Sequence, residues 1–523
     1  MNVKSSFQLI NELYLWGVRD FVVCAGARNA PFIHVLENLK KDINVYSFFE
    51  ERSAGFFALG KIKKNNKPTV VITTSGTAVA NLLPSVIEAH YTGLPLVIIS
   101  CDRPQSYRGS GAPQSIDQVG IFSNYVEKTW DIAINKFLDW VFIKNLSKRK
   151  PHHINVCIDE PLIDEAIDES LWQEPKDSTS VHELKDKNFS EQIDIIYTLK
   201  FPLILIGGLK QEDRAKVKAF LLKLKSPFYA EAASGLREDA ELDKFRIKCS
   251  EKILPKIEFK SILRIGSVPT MRFWRDLEGK FSKLPVVSVS HLAFKGLSRH
   301  SKLVPLSLLE TVEVEKMVDK LSLATLEQDK SQCKNIQSLL AKFPNSEQAI
   351  VSKLSQVIPS EQMVFLGNSL PIREWNEFAS YDHPHPCIEA NRGANGIDGI
   401  ISTSLGLCSS NQPVWAIVGD LTAMYDMSAL WPLSPNNQQS KLEGDFKLVI
   451  VNNGGGKIFE QKFKEKLFLN THTTDFKSLA NFWNVDYTTD MSIAKQYQRC
   501  ICELKPDSEQ TAQFFKEYNE LFE

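Results

Sequence analysis

Short runs of β-branched and other apolar residues recur along the chain, each followed by a stretch of helical period, and this alternation most limits the fold. "DFVVCAG", "NVYSFF", "PTVVITTSG" and "LPLVIISCD" mark strands in the first 102 residues. Helices are expected at "SFQLINELYLWG", at "RNAPFIHVLENLKK" with Pro31 near its first turn, from Arg52 onward, and at "TAVANLLPSVIEAHY". Alternating strands and helices of this kind form parallel α/β layers.

The alternation returns twice. Strands "PLILIGG", "SILRIGS" and "PVVSVSH" precede a charged helical stretch around residues 306 to 342. A third set, from near Asn345, has strands "QMVFLGN", "PVWAIVGD" and "FKLVIVNNG" and a closing helix "EQTAQFFKEYNELFE". A chain of 523 residues is too long for one compact core. We therefore expect an α/β protein of three doubly wound parallel-sheet domains, at residues 1–170, 191–343 and 344–523. The polar, aperiodic "LWQEPKDSTSVHELKDKN" supplies a linker over 171–190. The first and third sets look alike in build.

A formal net charge of −1 argues against whole-molecule attraction to nucleic acid or an anionic membrane, so an anionic ligand needs locally gathered cations. Apolar runs such as "LPLVIIS" fall far short of the ~20 residues of a bilayer span, so no integral membrane segment is expected. The N-terminus reads as an amphipathic helix without a signal-peptide cleavage pattern, which points to the cytoplasm. Nine cysteines are scattered without a CxxC pair, Cys500 and Cys502 sharing one face of a strand. They read as free thiols rather than disulfides or zinc ligands. The ten histidines form no metal constellation: His152 and His153 are adjacent and point apart, and His383 and His385 lie in a Pro-rich loop.

In the third set, Gly419 and Asp420 end one strand and Asn452 and Asn453 end the next. Hard oxygen ligands at adjacent carboxyl ends of parallel strands, beside a helix N-terminus, suit magnesium and a diphosphate. Gly-Asp and Asn-Gly are also common turn dipeptides, and an ordinary pair of turns is the competing reading. In "VYSFFEERSAGFFALGKIKK", Glu50 and Glu51 sit among Phe48, Phe49, Phe56 and Phe57. Desolvation by these rings would raise a carboxyl pKa and let it hold and return a proton. The alternative is a solvated strand end whose two glutamates cap the next helix. Alternation along a strand would point Glu50 and Glu51 to opposite sides.

Together and in this order, the Gly-Asp and double-Asn elements resemble the cofactor signature of thiamine diphosphate enzymes. By that resemblance Asp420, Asn453 and the Gly455 carbonyl hold Mg2+, with Mn2+ as an alternative. Gly419 and Leu421 flank the diphosphate, Ile458 and Phe459 line the thiazolium, and Glu51 contacts the pyrimidine as the catalytic carboxyl. Leu421 departs from the family's usual second glycine, and the 33 residues from Asp420 to Asn453 exceed the usual interval. The excess is expected in "SPNNQQSKLEGD", a polar surface insertion.

"FFEERSAGFFALG", "TTSGTAVANLLPSVIEA", "CDRPQSYRGSGAPQSIDQ", "GNSLPIREW", "NRGANGIDGIISTSLG" and "GDLTAMYDMSAL" together resemble one branch of that superfamily. It is the menaquinone-pathway 2-succinyl-5-enolpyruvyl-6-hydroxy-3-cyclohexene-1-carboxylate synthase (MenD) family, whose members are transferases. The resemblance implies thiamine diphosphate-dependent decarboxylation of 2-oxoglutarate and conjugate addition of the succinyl unit to isochorismate. Both substrates are dicarboxylates, which suits guanidinium forks. Arg28, Arg103, Arg373 and Arg392 are the implied cations, with Gln114 and Ser369 as polar contacts and Arg272 where the family tends to have Lys. "CAGARNAP" carries over only Arg28 from the family's Pro-Gly-Ser-Arg turn, and Pro113 replaces a usual Asn in "GAPQ". "LILIGGLKQEDRAK" lacks GxGxxG, so no dinucleotide is expected in the central domain. Another thiamine diphosphate 2-oxoacid decarboxylase or carboligase remains the alternative. The family's sites form between subunits, implying a homodimer or homotetramer.

Overall fold

The computed structural model describes all residues except 40, 135–139, 176–188, 318, 436, 438–441, 461 and 464. Its strands form three sheets, parallel throughout, with helices on their faces. The first sheet runs, in spatial order, Asn44–Phe48, Asp20–Cys24, Thr69–Thr73, Leu96–Asp102, His152–Cys157 and Thr129–Ala133. The second runs Lys302–Pro305, Val286–Ser290, Ser261–Ile265, Pro202–Ile206 and Phe228–Ala230. The third runs Ile388–Glu389, Met363–Leu366, Val414–Gly419, Phe446–Val451, Arg499–Leu504 and Asp486–Thr488. Numbered by chain order within each sheet, the first and third share the order 2-1-3-4-6-5. That matches the similar build expected of them.

These strands read as apolar runs because both faces are covered. In Thr69–Thr73, Val71 enters one apolar cluster while Val70 and Ile72 enter another on the opposite face. The first of those clusters continues into the third sheet through Phe365, Ile401 and Val418. The seam is the helix Glu51–Asn65 lying on the helix Ile400–Leu407. Backbones meet there: a Cβ on Gly60 would stand 2.1 Å from the Thr403 carbonyl oxygen and 2.7 Å from Gly406 Cα. Glycine at both positions lets the two helices approach this closely.

Several expectations change. "TAVANLLPSVIEAHY" is two helices, Thr77–Ala80 and Leu83–Thr92, the second starting with Pro84 in its first turn. Strands Thr129–Ala133, His152–Cys157, Phe228–Ala230, Lys302–Pro305, Ile388–Glu389 and Asp486–Thr488 extend the sheets beyond the expected runs. In the linker, Trp172 packs on Phe7 and Tyr14, and the helix Phe189–Tyr197 starts before residue 190. Residues 176–188 lie outside the described residues. The expected surface insertion, 434–445, is not wholly at the surface, since Ser434, Asn437 and Leu442 are buried. Residues 436 and 438–441 of it lie outside the described residues. All nine cysteines are free thiols. Among the described residues, no helix is long and apolar enough to cross a membrane.

Candidate active site

Strands Val414–Gly419 and Phe446–Val451 pair in parallel with Gly419 opposite Val451. That register brings Asp420 and the Asn452–Gly455 turn side by side at one sheet edge. Asp420 is the first residue of the helix Asp420–Tyr425 and is 2% exposed. Its Oδ1 accepts the Leu421 N–H at 2.6 Å, and its Oδ2 accepts those of Gly454 at 2.8 Å and Gly455 at 3.0 Å. His472 Nε2 stands 3.2 Å from the same Oδ2. Gly454 and Gly455 have φ of 80° and 139°, and a Cβ on Gly455 would stand 2.3 Å from the Leu469 carbonyl oxygen. The turn therefore needs glycine at that point.

The two asparagines do different work. Asn452 Nδ2 donates to Glu503 at 2.7 Å and to the Thr474 carbonyl at 2.9 Å, which ties the turn to the neighbouring strand. Asn453 Nδ2 donates to both oxygens of Glu347, at 3.1 and 3.0 Å. Its Oδ1 is buried and has no partner among the described residues. A buried carbonyl oxygen left over is costly, and beside a buried carboxylate it suits a hard divalent cation. The Gly455 carbonyl accepts from Lys457 N–H at 2.9 Å, which leaves one lone pair. These donors fit magnesium. Ile458 is half-buried and Phe459 is exposed, its ring beside those of Phe463 and Phe468. Neither is plain core.

Behind Glu347 lies a second buried carboxyl, Glu374. Burial and the charge of Glu347 push Glu374 well above the usual carboxyl range. One proton between such a pair removes like-charge repulsion.

The candidate arginines divide between sheets. Ser369, at φ 72°, precedes the helix Leu370–Phe378 without a capping hydrogen bond from its hydroxyl, and Arg373 donates to its carbonyl oxygen. Arg392 Nη1 donates to Asn368 Oδ1 at 2.6 Å, and burial pulls its guanidinium down to about 10. Arg272 is exposed and paired with Asp276 at 2.9 Å. Burial lowers the Arg373 guanidinium, the charge of Arg275 adds to this, and those of Glu251 and Glu231 oppose it.

At the first sheet's carboxyl edge stand Arg28, Arg103, Gln114 and Glu51. Arg28 donates to Glu160 and to the Ile158 carbonyl, each at 3.2 Å. Arg103 Nε donates to the Pro113 carbonyl at 3.0 Å, so Pro113 still serves the site through its oxygen. Gln114, at φ 58°, lies against Gly76.

The strand before the glutamates ends at Phe48, so strand alternation does not orient them. Glu50 is the cap of the helix Glu51–Asn65, accepting from Arg52 N–H at 2.9 Å, Ser53 N–H at 3.1 Å and Ser428 Oγ at 3.0 Å. Glu51 is half-buried, and its carboxylate makes no hydrogen bond or ion pair with the described residues. The rings near it in sequence make contacts of their own. Phe57 packs on Tyr46 and Phe48, Phe56 on Gly399, and Phe49 is 58% exposed against Trp431.

No hydrogen bond or ion pair among the described residues joins Glu51, Arg28, Arg103 or Gln114 to Asp420, Asn453, Arg373 or Arg392. Polar links between the neighbours of the two groups include Arg52 to Asp426 and Ser428 to Glu50. Sequence motifs did not single out Glu347, 106 positions before Asn453, or His472, 52 positions after Asp420. Nothing in their local sequence announces them.

Residues 4–121 match the thiamine pyrophosphate enzyme N-terminal TPP binding domain. Over its whole length the chain is 42% identical to a 2-succinyl-5-enolpyruvyl-6-hydroxy-3-cyclohexene-1-carboxylate synthase of Bdellovibrio bacteriovorus, covering 99% of that protein. It belongs to that synthase family. A family member of Akkermansia muciniphila is 35% identical, with 98% of each chain covered, and one of Listeria monocytogenes is 30% identical over 92% of this chain and 89% of its own. The matched length extends across all three sheets.

Proposed function

We propose that the protein is a thiamine diphosphate- and Mg2+-dependent transferase. It decarboxylates 2-oxoglutarate and adds the succinyl unit to isochorismate, giving 2-succinyl-5-enolpyruvyl-6-hydroxy-3-cyclohexene-1-carboxylate and CO2 in menaquinone biosynthesis, in the cytoplasm. The observation that carries this reading is the unpartnered, buried Asn453 Oδ1 beside the buried Asp420 carboxylate, in a chain of this family.

Thiamine diphosphate, when bound, supplies a nucleophilic thiazolium carbon and an electron sink for decarboxylation. Asp420, Asn453 and the Gly455 carbonyl hold the cation that anchors the diphosphate, at the helix N-terminus after Gly419 and beside Leu421. Ile458 and Phe459 shield the thiazolium from water. Glu51 exchanges a proton with the pyrimidine ring through its carboxyl oxygen. Arg28, Arg103, Arg373 and Arg392 orient substrate carboxylates, with Gln114 and Ser369 as polar contacts and Arg272 at the rim.

In this reading residues 1–170 bind the pyrimidine and residues 344–523 the diphosphate. Residues 171–190 link the first to the central part, 191–343, which holds no cofactor. The resemblance to enzymes whose sites form between subunits favours a homodimer or a homotetramer in which Glu51 of one copy meets Asp420 of the next. The test is incubation of purified protein with thiamine diphosphate, Mg2+, 2-oxoglutarate and isochorismate. The adduct and CO2 should form together. CO2 release from a different 2-oxoacid with no adduct would overturn the assignment.

A further inference from the structure

Glu347 is the first residue of the helix Glu347–Val357 and is 2% exposed. Its own backbone N–H donates to Thr511 Oγ1 at 3.0 Å, and Ser346 caps the helix through the Ala349 N–H at 3.2 Å. Its main chain is thus held from two sides, and its carboxyl oxygens accept from Asn453 Nδ2 at 3.1 and 3.0 Å, with the Glu374 carboxyl hydrogen-bonded behind them.

An asparagine side chain has two nearly isosteric ends, a donor amide and an acceptor carbonyl. A carboxylate oxygen accepts, so it holds the amide end and repels the carbonyl end. With the amide fixed on Glu347, Asn453 Oδ1 is turned away from it and left without a protein partner.

We propose that Glu347 is a positioning residue for the metal centre: it locks the Asn453 amide so that Oδ1 faces the divalent cation. This rests on the reading of Asp420 and Asn453 as metal ligands. Partners of metal ligands in this position commonly change metal affinity by about 10- to 100-fold when removed. In Glu347→Gln the new amide can either accept from Nδ2 or donate to Oδ1, so both orientations of Asn453 become populated.

The test is Mn2+ titration followed by electron paramagnetic resonance, with thiamine diphosphate saturating, on the full-length protein. Glu347→Gln should bind Mn2+ about 10- to 100-fold more weakly, while the metal-free protein keeps its near-ultraviolet circular dichroism. Glu347→Asp, which keeps an acceptor-only group, should lose less. Unchanged Mn2+ affinity in folded Glu347→Gln overturns the proposal. If Glu347→Gln does not fold, Glu347→Ala decides in its place: weaker Mn2+ binding supports the proposal and unchanged affinity overturns it. Asn453→Ala separates the two levels. If that variant binds Mn2+ normally, the ligand reading fails. If it binds weakly while Glu347→Gln does not, only the positioning role fails.

Discussion

Arg52 and Asp426 join the helix that begins at Glu51 to the turn that follows the Asp420 helix, with Nη1 3.1 Å from Oδ1. The Asp426 side chain is 1% exposed and also accepts the backbone N–H groups of Gly399 at 2.9 Å and Ile401 at 3.1 Å. One carboxylate therefore caps the helix Ile400–Leu407 and anchors the first sheet's helix to it. Burial pushes it up to about 6, against the backbone N–H groups and Arg52.

Removing the cation should expose that cost. Arg52→Ala should destabilise the protein by about 1.5–3 kcal/mol, the usual worth of a hydrogen bond to a charged group. The measure is the urea midpoint at pH 7.5. A midpoint equal to that of the parent would mean that the pair contributes nothing.

Glu51 is placed differently from its neighbour. Glu51→Gln should lower turnover by about 10²- to 10⁴-fold without moving the melting temperature, since its carboxylate makes no hydrogen bond or ion pair with the described residues. Glu50→Gln should mainly lower the melting temperature, because the cap carries the helix and the Ser428 contact. Steady-state assays and thermal melts of both variants check the contrast.

Gly455 carries the sharpest steric constraint at the site. Gly455→Ala should abolish the rise in melting temperature that thiamine diphosphate and Mg2+ give, because a Cβ forces the turn off the Leu469 carbonyl and withdraws an N–H from Asp420. The measurement is a thermal melt with and without the ligands. A normal rise would show the turn to be unimportant.

Acid sensitivity should come from His153. Its ring is buried, with Nε2 2.7 Å from Ser100 Oγ, and burial holds the imidazole down to about 3, with the charge of Asp131 opposing. Below pH 6.5 the unfolded chain takes up a proton that the folded one refuses. The stability is therefore fully present above 6.5 and is lost as pH falls toward 3, with a limiting slope of about 1.4 kcal/mol per pH unit. His153→Gln should flatten urea midpoints measured between pH 7.5 and 5. An unchanged slope would place the acid sensitivity elsewhere.

Long apolar strands such as "VVITT" and "LVIISCD" were legible because burial on both faces writes itself as a continuous run. Strands of two or three residues, Ile388–Glu389 and Phe228–Ala230, are too short to leave a period. Asp420 and Asn453 were legible because strand ends and glycines mark a turn. Glu347 was not, because its contact with Asn453 depends on how a helix 106 positions away docks on the sheet. The strand alternation expected for Glu50 and Glu51 did not apply, because the strand ends at Phe48 and Glu50 caps the next helix.

The central claim is that Glu51 of one copy works with Asp420 and Asn453 of another. It is tested most directly by co-assembling Glu51→Gln with Asp420→Asn, each inactive alone, and assaying adduct formation. Random pairing puts one intact site in half of the dimers, so about a quarter of the parent activity should return. No activity in the mixture, or full activity in either variant alone, would contradict the account.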